Sequence, residues 1–220
     1  IWRIGYPLNV MRLRKEGWQF KIDYHKDYVI KTPKTYAEIR KSVSNYLKFI
    51  GKSQKEELDR LTNKAINDYN TSLKIIKKSN VPKSLLGDIT FLKNGKIKQK
   101  RAVVLGTRIK NLIKKDKTNE IKLLIDKYII LTLELWKYGI YEKVYNFTIN
   151  NGIIKNKIVL LDLFELTKDI KLIKKQLKNR TWERAYHMKY VLKEIVPYFK
   201  REARKNFTYK NFNKLWESNL

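Results

Sequence analysis

The spacing of apolar residues changes character several times along the chain, and each change marks an element. At the start, Ile1 to Ile4 and Asn9 to Leu13 read as short strands, with Gly5-Tyr6-Pro7 punctuating them. Trp18, Phe20 and Ile22 then alternate with polar residues at period two, and Tyr28-Val29-Ile30-Lys31 forms a further apolar run that Thr32-Pro33 stops. From Thr35 the period becomes helical. Ile39, Val43, Tyr46, Leu47 and Ile50 form one stripe, and Gly51 is a natural stop. Ser53 with Glu56 has the spacing of a capping box, and the helix it opens has the stripe Leu58, Leu61, Ala65, Tyr69, Leu73 and Ile76.

Strand character returns between Leu85 and Leu105, where Asn94-Gly95 separates two apolar runs as in a tight hairpin. Ala102 to Leu105 runs into Gly106. The clearest helix covers Asn119 to Tyr138, with Leu124, Tyr128, Leu131 and Leu135 on one face and Gly139 as its cap. In the stretch Tyr141 to Thr167, Asn151-Gly152 predicts a turn, and the apolar strand Ile158 to Leu161 ends on Asp162. Beyond it the pattern is helical: Ile170 to Leu177, then Trp182 to Arg204 with Met188, Val191, Ile195 and Phe199 inward and Pro197 as a bend, then a tail with Phe212, Leu215 and Trp216. The expected fold is α+β. Residues 1–106 form a small β-rich N-terminal lobe with an inserted helical pair, residues 107–220 form a mainly helical C-terminal lobe, and a cleft separates them.

Composition narrows the class. A chain of 220 residues with 43% hydrophobic and 12% aromatic content has enough apolar surface for a folded core. With no cysteine, disulfides and thiolate metal sites are excluded, which suits a reducing, cytoplasmic setting. No run approaches the roughly 18 apolar residues of a membrane span, and nothing at the start resembles a signal peptide. A net charge of +29 favours a polyanionic partner, nucleic acid or an acidic protein. Lysine is several times more abundant than arginine, however, which AT-rich codon composition explains equally well.

The chemistry-bearing residues gather in Tyr141 to Thr167. Asn146 and Asn150 precede the strand that delivers Asp162, and an amide with a strand-end carboxylate suits a hard divalent cation. In their order along the chain, Lys31 after Val29-Ile30, the run Val103 to Gly106, the helix ending at Gly139, and Leu160-Leu161-Asp162-Leu163-Phe164 together resemble the protein-kinase-like superfamily, in a reduced, atypical bacterial form. That resemblance implies that Lys31 grips nucleotide phosphates, with Glu38 as its helix partner and Glu56 and Glu57 as rivals. It implies that backbone at Val104, Leu105 and Gly106 meets adenine. Asp162 and either Asn146 or Asn150 then hold magnesium, and the cofactors are ATP and Mg.

This sequence departs from the family pattern at several points. The family's catalytic aspartate stands five residues before its metal asparagine, where this chain has Tyr145 or Tyr141, according to which asparagine is the ligand. Glu142 is the available substitute. The loop Gly5 to Val10 lacks repeated glycines, and Phe164 stands where glycine is usual. The implied function is a nucleotide-binding phosphotransferase on a protein or small molecule, or a pseudokinase.

Two other readings start from different residues. A non-enzymatic nucleic-acid binder would use the basic surface, with Phe207, Tyr209, Phe212 and Trp216 able to stack bases. A HEPN-type ribonuclease would use Arg180 and His187, seven residues apart on one helix face.

Overall fold

In the computed structural model the described residues are 17–52, 55–184 and 193–216. The strands expected before Lys15, the glycine-poor loop, the Ser53 cap, Met188 and Val191 lie outside them. The change of period at Thr35 is where the first sheet passes into helix. That sheet is antiparallel, in the order β1-β2-β4-β3, built from β1 (Phe20–Tyr24), β2 (Tyr28–Pro33), β3 (Thr90–Phe91) and β4 (Ile97–Lys100). Between β2 and β3 run α1 (Tyr36–Phe49) and α2 (Lys55–Lys78). Thr35 and Glu38 cap α1 reciprocally, the Thr35 hydroxyl accepting from the Glu38 amide and the Glu38 carboxylate accepting from the Thr35 amide. The predicted stripe Ile39, Val43, Tyr46 and Leu47 is buried, and it packs on Leu61 and Ala65 of α2 as a small separate core.

The Asn94-Gly95 hairpin forms as expected, Phe91 facing Ile97, with both turn residues at positive φ (57° and 71°). After it come β5 (Val103–Val104), α3 (Leu105–Ile113) and α4 (Thr118–Lys137), followed by β6 (Tyr141–Glu142) and the one-turn α5 (Phe147–Asn150). Then follow β7 (Asn151–Ile154), β8 (Lys157–Leu160), β9 (Leu166–Thr167), α6 (Ile170–Lys178), a 3-10 turn at Thr181–Arg184, α7 (Ile195–Asn206) and α8 (Tyr209–Trp216). Two further antiparallel sheets have the orders β5-β7-β8 and β6-β9. Pro197 sits in the first turn of α7, where its missing N–H costs no helical bond.

One prediction fails informatively. Asn151-Gly152 is not a turn: both residues lie within β7, and the chain reverses at Lys155-Asn156, with Lys155 at φ 54°. Packing explains the glycine. A Cβ at Gly152 would stand 2.6 Å from Leu161 Cδ1 and 2.9 Å from Ala102 Cβ. Gly152 is there to admit neighbouring chain, not to turn.

The main core is continuous from Phe20 and Ile97 on the first sheet through Leu105 and α4 to Phe212 and Trp216 on α8. Its centre is aromatic. Trp136 stacks on Tyr141 and meets Phe212 edge-on, while Phe147 stacks between Tyr128 and Phe199. Truncating any one of these to alanine costs about 3–5 kcal/mol. This core is the floor on which β6, α5 and β8 set the polar residues described next.

Candidate functional site

Alternation along β2 turns Val29 and Lys31 inward. Lys31 is 8% exposed, and its Nζ donates to the carbonyl of Leu161, 130 residues further on, at 2.5 Å. The ammonium also lies 5.9 Å from the Phe164 ring centre, and that ring stacks on Phe20 at 4.1 Å. Burial pulls the Lys31 pKa down to about 8, and the neighbouring Asp162 carboxylate limits the fall. The predicted phosphate-gripping lysine and the predicted metal carboxylate are thus adjacent.

Asp162 is held by backbone. The amides of Leu161 and Asp162 both donate to the Asn150 carbonyl, at 2.7 and 3.1 Å. Asp162 Oδ1 accepts from the Phe164 amide at 3.1 Å, and no hydrogen bond from a described residue reaches its Oδ2. The side chain of Asn150 works in the other direction. Its Nδ2 donates to Glu142 Oε1 at 2.7 Å and lies 3.5 Å from Glu165 Oε2. With its amide nitrogen turned to the two acids, the Asn150 Oδ1 faces away from them. Asn150 therefore bridges two acids and leaves a carbonyl-type oxygen for a third partner.

Glu142 reaches this position because β6 pairs with β9, placing it opposite Leu166. The chain then turns sharply through Tyr145, a buried aromatic residue at φ 50° whose hydroxyl donates to that of Tyr141. Such a conformation is unusual for a bulky residue and is held by its surroundings. The turn brings the Asn146 amide to 3.3 Å from Glu142 Oε1. Burial, reinforced by the field of Asp162, raises the Glu142 pKa to about 7 against the bonds from Asn150 and Asn146. Glu165 rises to about 8, again chiefly through burial, with Asp162 and Glu142 adding to the effect and Lys64 opposing it.

Three carboxylates thus lie close together, and among the described residues Lys31 is the one buried cation. Among the described residues no three acidic or imidazole groups converge on a single metal position. The donors on offer are instead one aspartate oxygen and one amide oxygen, beside acids that are short of positive charge. That set fits magnesium, which keeps much of its water shell.

Other predicted residues lie elsewhere or serve other ends. Glu38 is not the partner of Lys31: it caps α1 and pairs with Lys21 on an exposed edge, which holds its carboxyl below the ordinary range. Glu57 pairs with Arg60 one turn on, and Glu56 is exposed. Leu105 is fully buried in the core, and Gly106 lets α3 approach α5 so closely that a Cβ would stand 2.8 Å from the Thr148 carbonyl. Of the expected adenine-edge positions, only Val104 is exposed. Asn146 gives its amide to Glu142 and its carbonyl to Asn150, while its Oδ1 is buried without a partner.

Arg180 sits in the turn after α6 at φ 47°, and His187 lies outside the described residues. Of the tail aromatics, Phe207, Phe212 and Trp216 are buried in the core and Tyr209 is exposed. Sequence reasoning missed Glu165, although it stands three residues after Asp162 in plain view. It also missed Lys143 and Asp68, which no local pattern connects.

No protein-family model, no curated protein and no solved structure matches this chain.

Proposed function

We propose that this protein binds a magnesium nucleotide, with ATP as the natural candidate, between the first sheet and the helical remainder in a two-lobed, protein-kinase-like arrangement. The observation that carries the reading is the meeting of Lys31 with the Leu161-Asp162 corner, across 130 residues of sequence, beside an asparagine whose free oxygen faces away from two acids. In this reading Lys31 leaves the Leu161 carbonyl to neutralise phosphate oxygens, and Val104 offers backbone to the base. Asp162 and Asn150 would hold the magnesium, whose chemistry is to draw charge from the phosphates.

Glu142 is the proton acceptor of this reading. It lies in hydrogen-bond contact with Asn150, and a carboxylate titrating near neutrality is well matched to take a proton from a substrate hydroxyl. The tyrosines are not candidates. Tyr141 and Tyr145 are buried and bonded to each other, and burial pushes both hydroxyls up, beyond useful basicity.

Titration calorimetry with Mg·ATP tests the reading. Binding is expected for the wild type, with loss of at least about a hundredfold in Asp162→Ala, since a metal-bound charge pair is worth several kcal/mol. A wild type that binds no nucleotide overturns the proposal.

A further inference from the structure

The helix α2 presents a polar stripe to the site from outside it. Lys64, Asp68 and Ser72 follow at intervals of four and so share one face. Ser72 is fully buried, and its hydroxyl accepts from the Leu166 amide at 3.0 Å. Asp68 pairs with Lys64 on its own helix and, at 2.5 Å, with Nζ of Lys143, where both partners are largely shielded from water (16% and 17% exposed). Lys143 is the residue after Glu142. Its backbone is also tied down, the amide donating to the Glu165 carbonyl at 2.8 Å and the carbonyl accepting from Gln176 of α6 at 2.9 Å. The neighbouring Tyr69 packs against Phe164 and Phe20.

The geometry points to Lys143 as a positioning residue: clamped by Asp68 of α2, it holds the Glu142–Asn150 pair in register with Asp162, so that α2 and the site move as one body. The inference rests on the proposed nucleotide site for its functional consequence, but the mechanical link can be measured by itself. Three attachments converge on Lys143, from α2, from the Glu165 carbonyl and from α6, whereas the pair Arg60–Glu57 joins two residues of one helix. A shielded pair between separate elements is also the kind whose loss leaves a charge stranded.

The test compares the full chain with Asp68→Asn, Lys143→Met, the double variant and Lys143→Arg, following amide exchange over residues 141–150 and Mg·ATP affinity by calorimetry. Each single change is expected to speed exchange in 141–150 about tenfold and weaken nucleotide binding about five- to tenfold, the double variant to be no worse than either single, and Lys143→Arg to restore both. Exchange over 141–150 that stays at the wild-type rate in both singles, or losses that simply add, overturns the inference. If the wild type binds no nucleotide, the functional reading fails while the exchange rates still decide the link. Should Lys143→Met fail to fold, Asp68→Asn, which removes one charge and little volume, decides alone.

Discussion

Two charged regions of this molecule behave in opposite ways. Over the surface, ion pairs such as Lys137–Glu134, Lys205–Glu202 and Arg204–Glu183 leave the basic side chain about half exposed. Each is worth from nothing to about 1 kcal/mol. Where β2, β6, α5 and the end of β8 meet, a few groups lose water together: Lys31 is driven down to about 8, while Glu142 and Glu165 are driven up to about 7 and 8. The +29 net charge belongs almost wholly to the first region, and the large shifts of titration belong to the second. Charge count and charge burial are separate properties, and only burial converts a charge into a site.

That contrast can be broken at several points. Next to Asp162→Ala, the largest effect is expected from Lys31→Met, which should cost Mg·ATP at least about fiftyfold in affinity by calorimetry.

The next prediction is the pH dependence of stability. Glu142 and Glu165 have folded-state pKa values above their unfolded ones, so their contribution is complete below about pH 4.5 and is lost as pH rises through about 7 and 8. Lys31 has the opposite sign: its folded value lies below the unfolded one, so its contribution is present above the unfolded value of about 10.5 and is lost as pH falls through about 8. Between pH 5 and 8 the two carboxylates dominate, and the urea midpoint should fall. Glu142→Gln should flatten that fall, and millimolar magnesium should reverse part of it by supplying the missing positive charge. A midpoint that rises over this interval would contradict the burial argument.

On the surface, Arg204→Ala should change stability by no more than about 1 kcal/mol, and 0.5 M salt should erase the difference. The smallest expected effect is at the β7-β8 reversal. Lys155→Gly should raise stability by about 0.5–1 kcal/mol in urea unfolding, because glycine occupies φ 54° without the Cβ clash that lysine suffers.

Much of this arrangement was legible in the sequence because it is set by local periods. The stripe Ile39, Val43, Tyr46 and Leu47 predicts α1 and its buried face, and α4 starts and ends within a residue of its pattern. The two Asn-Gly pairs show where local reasoning stops. Asn94-Gly95 turns at the tip of a hairpin with both residues at positive φ, whereas Gly152 is enclosed by Leu161 and Ala102 and lies flat in a strand. The same dipeptide serves two purposes, and the neighbours that choose between them lie up to 50 residues away in the chain.

By itself, the sequence determined the α+β class, the buried stripes of α1 and α4 and a small antiparallel sheet with a mostly helical remainder, and it offered Lys31, Glu38, Val104, Leu105, Gly106, Glu142, Asn146, Asn150 and Asp162 as candidates. Among the described residues it holds no helix long and apolar enough to cross a membrane. Only the tertiary structure decided which of these residues meet. It sent Glu38 to an exposed lysine, set Asn150 between two acids, brought Glu165 into the group and tied α2 to Lys143. The physical reason is range. Periodicity reports which side of an element is buried, but a pair such as Lys31 and Leu161 is settled by how three sheets and one continuous core pack.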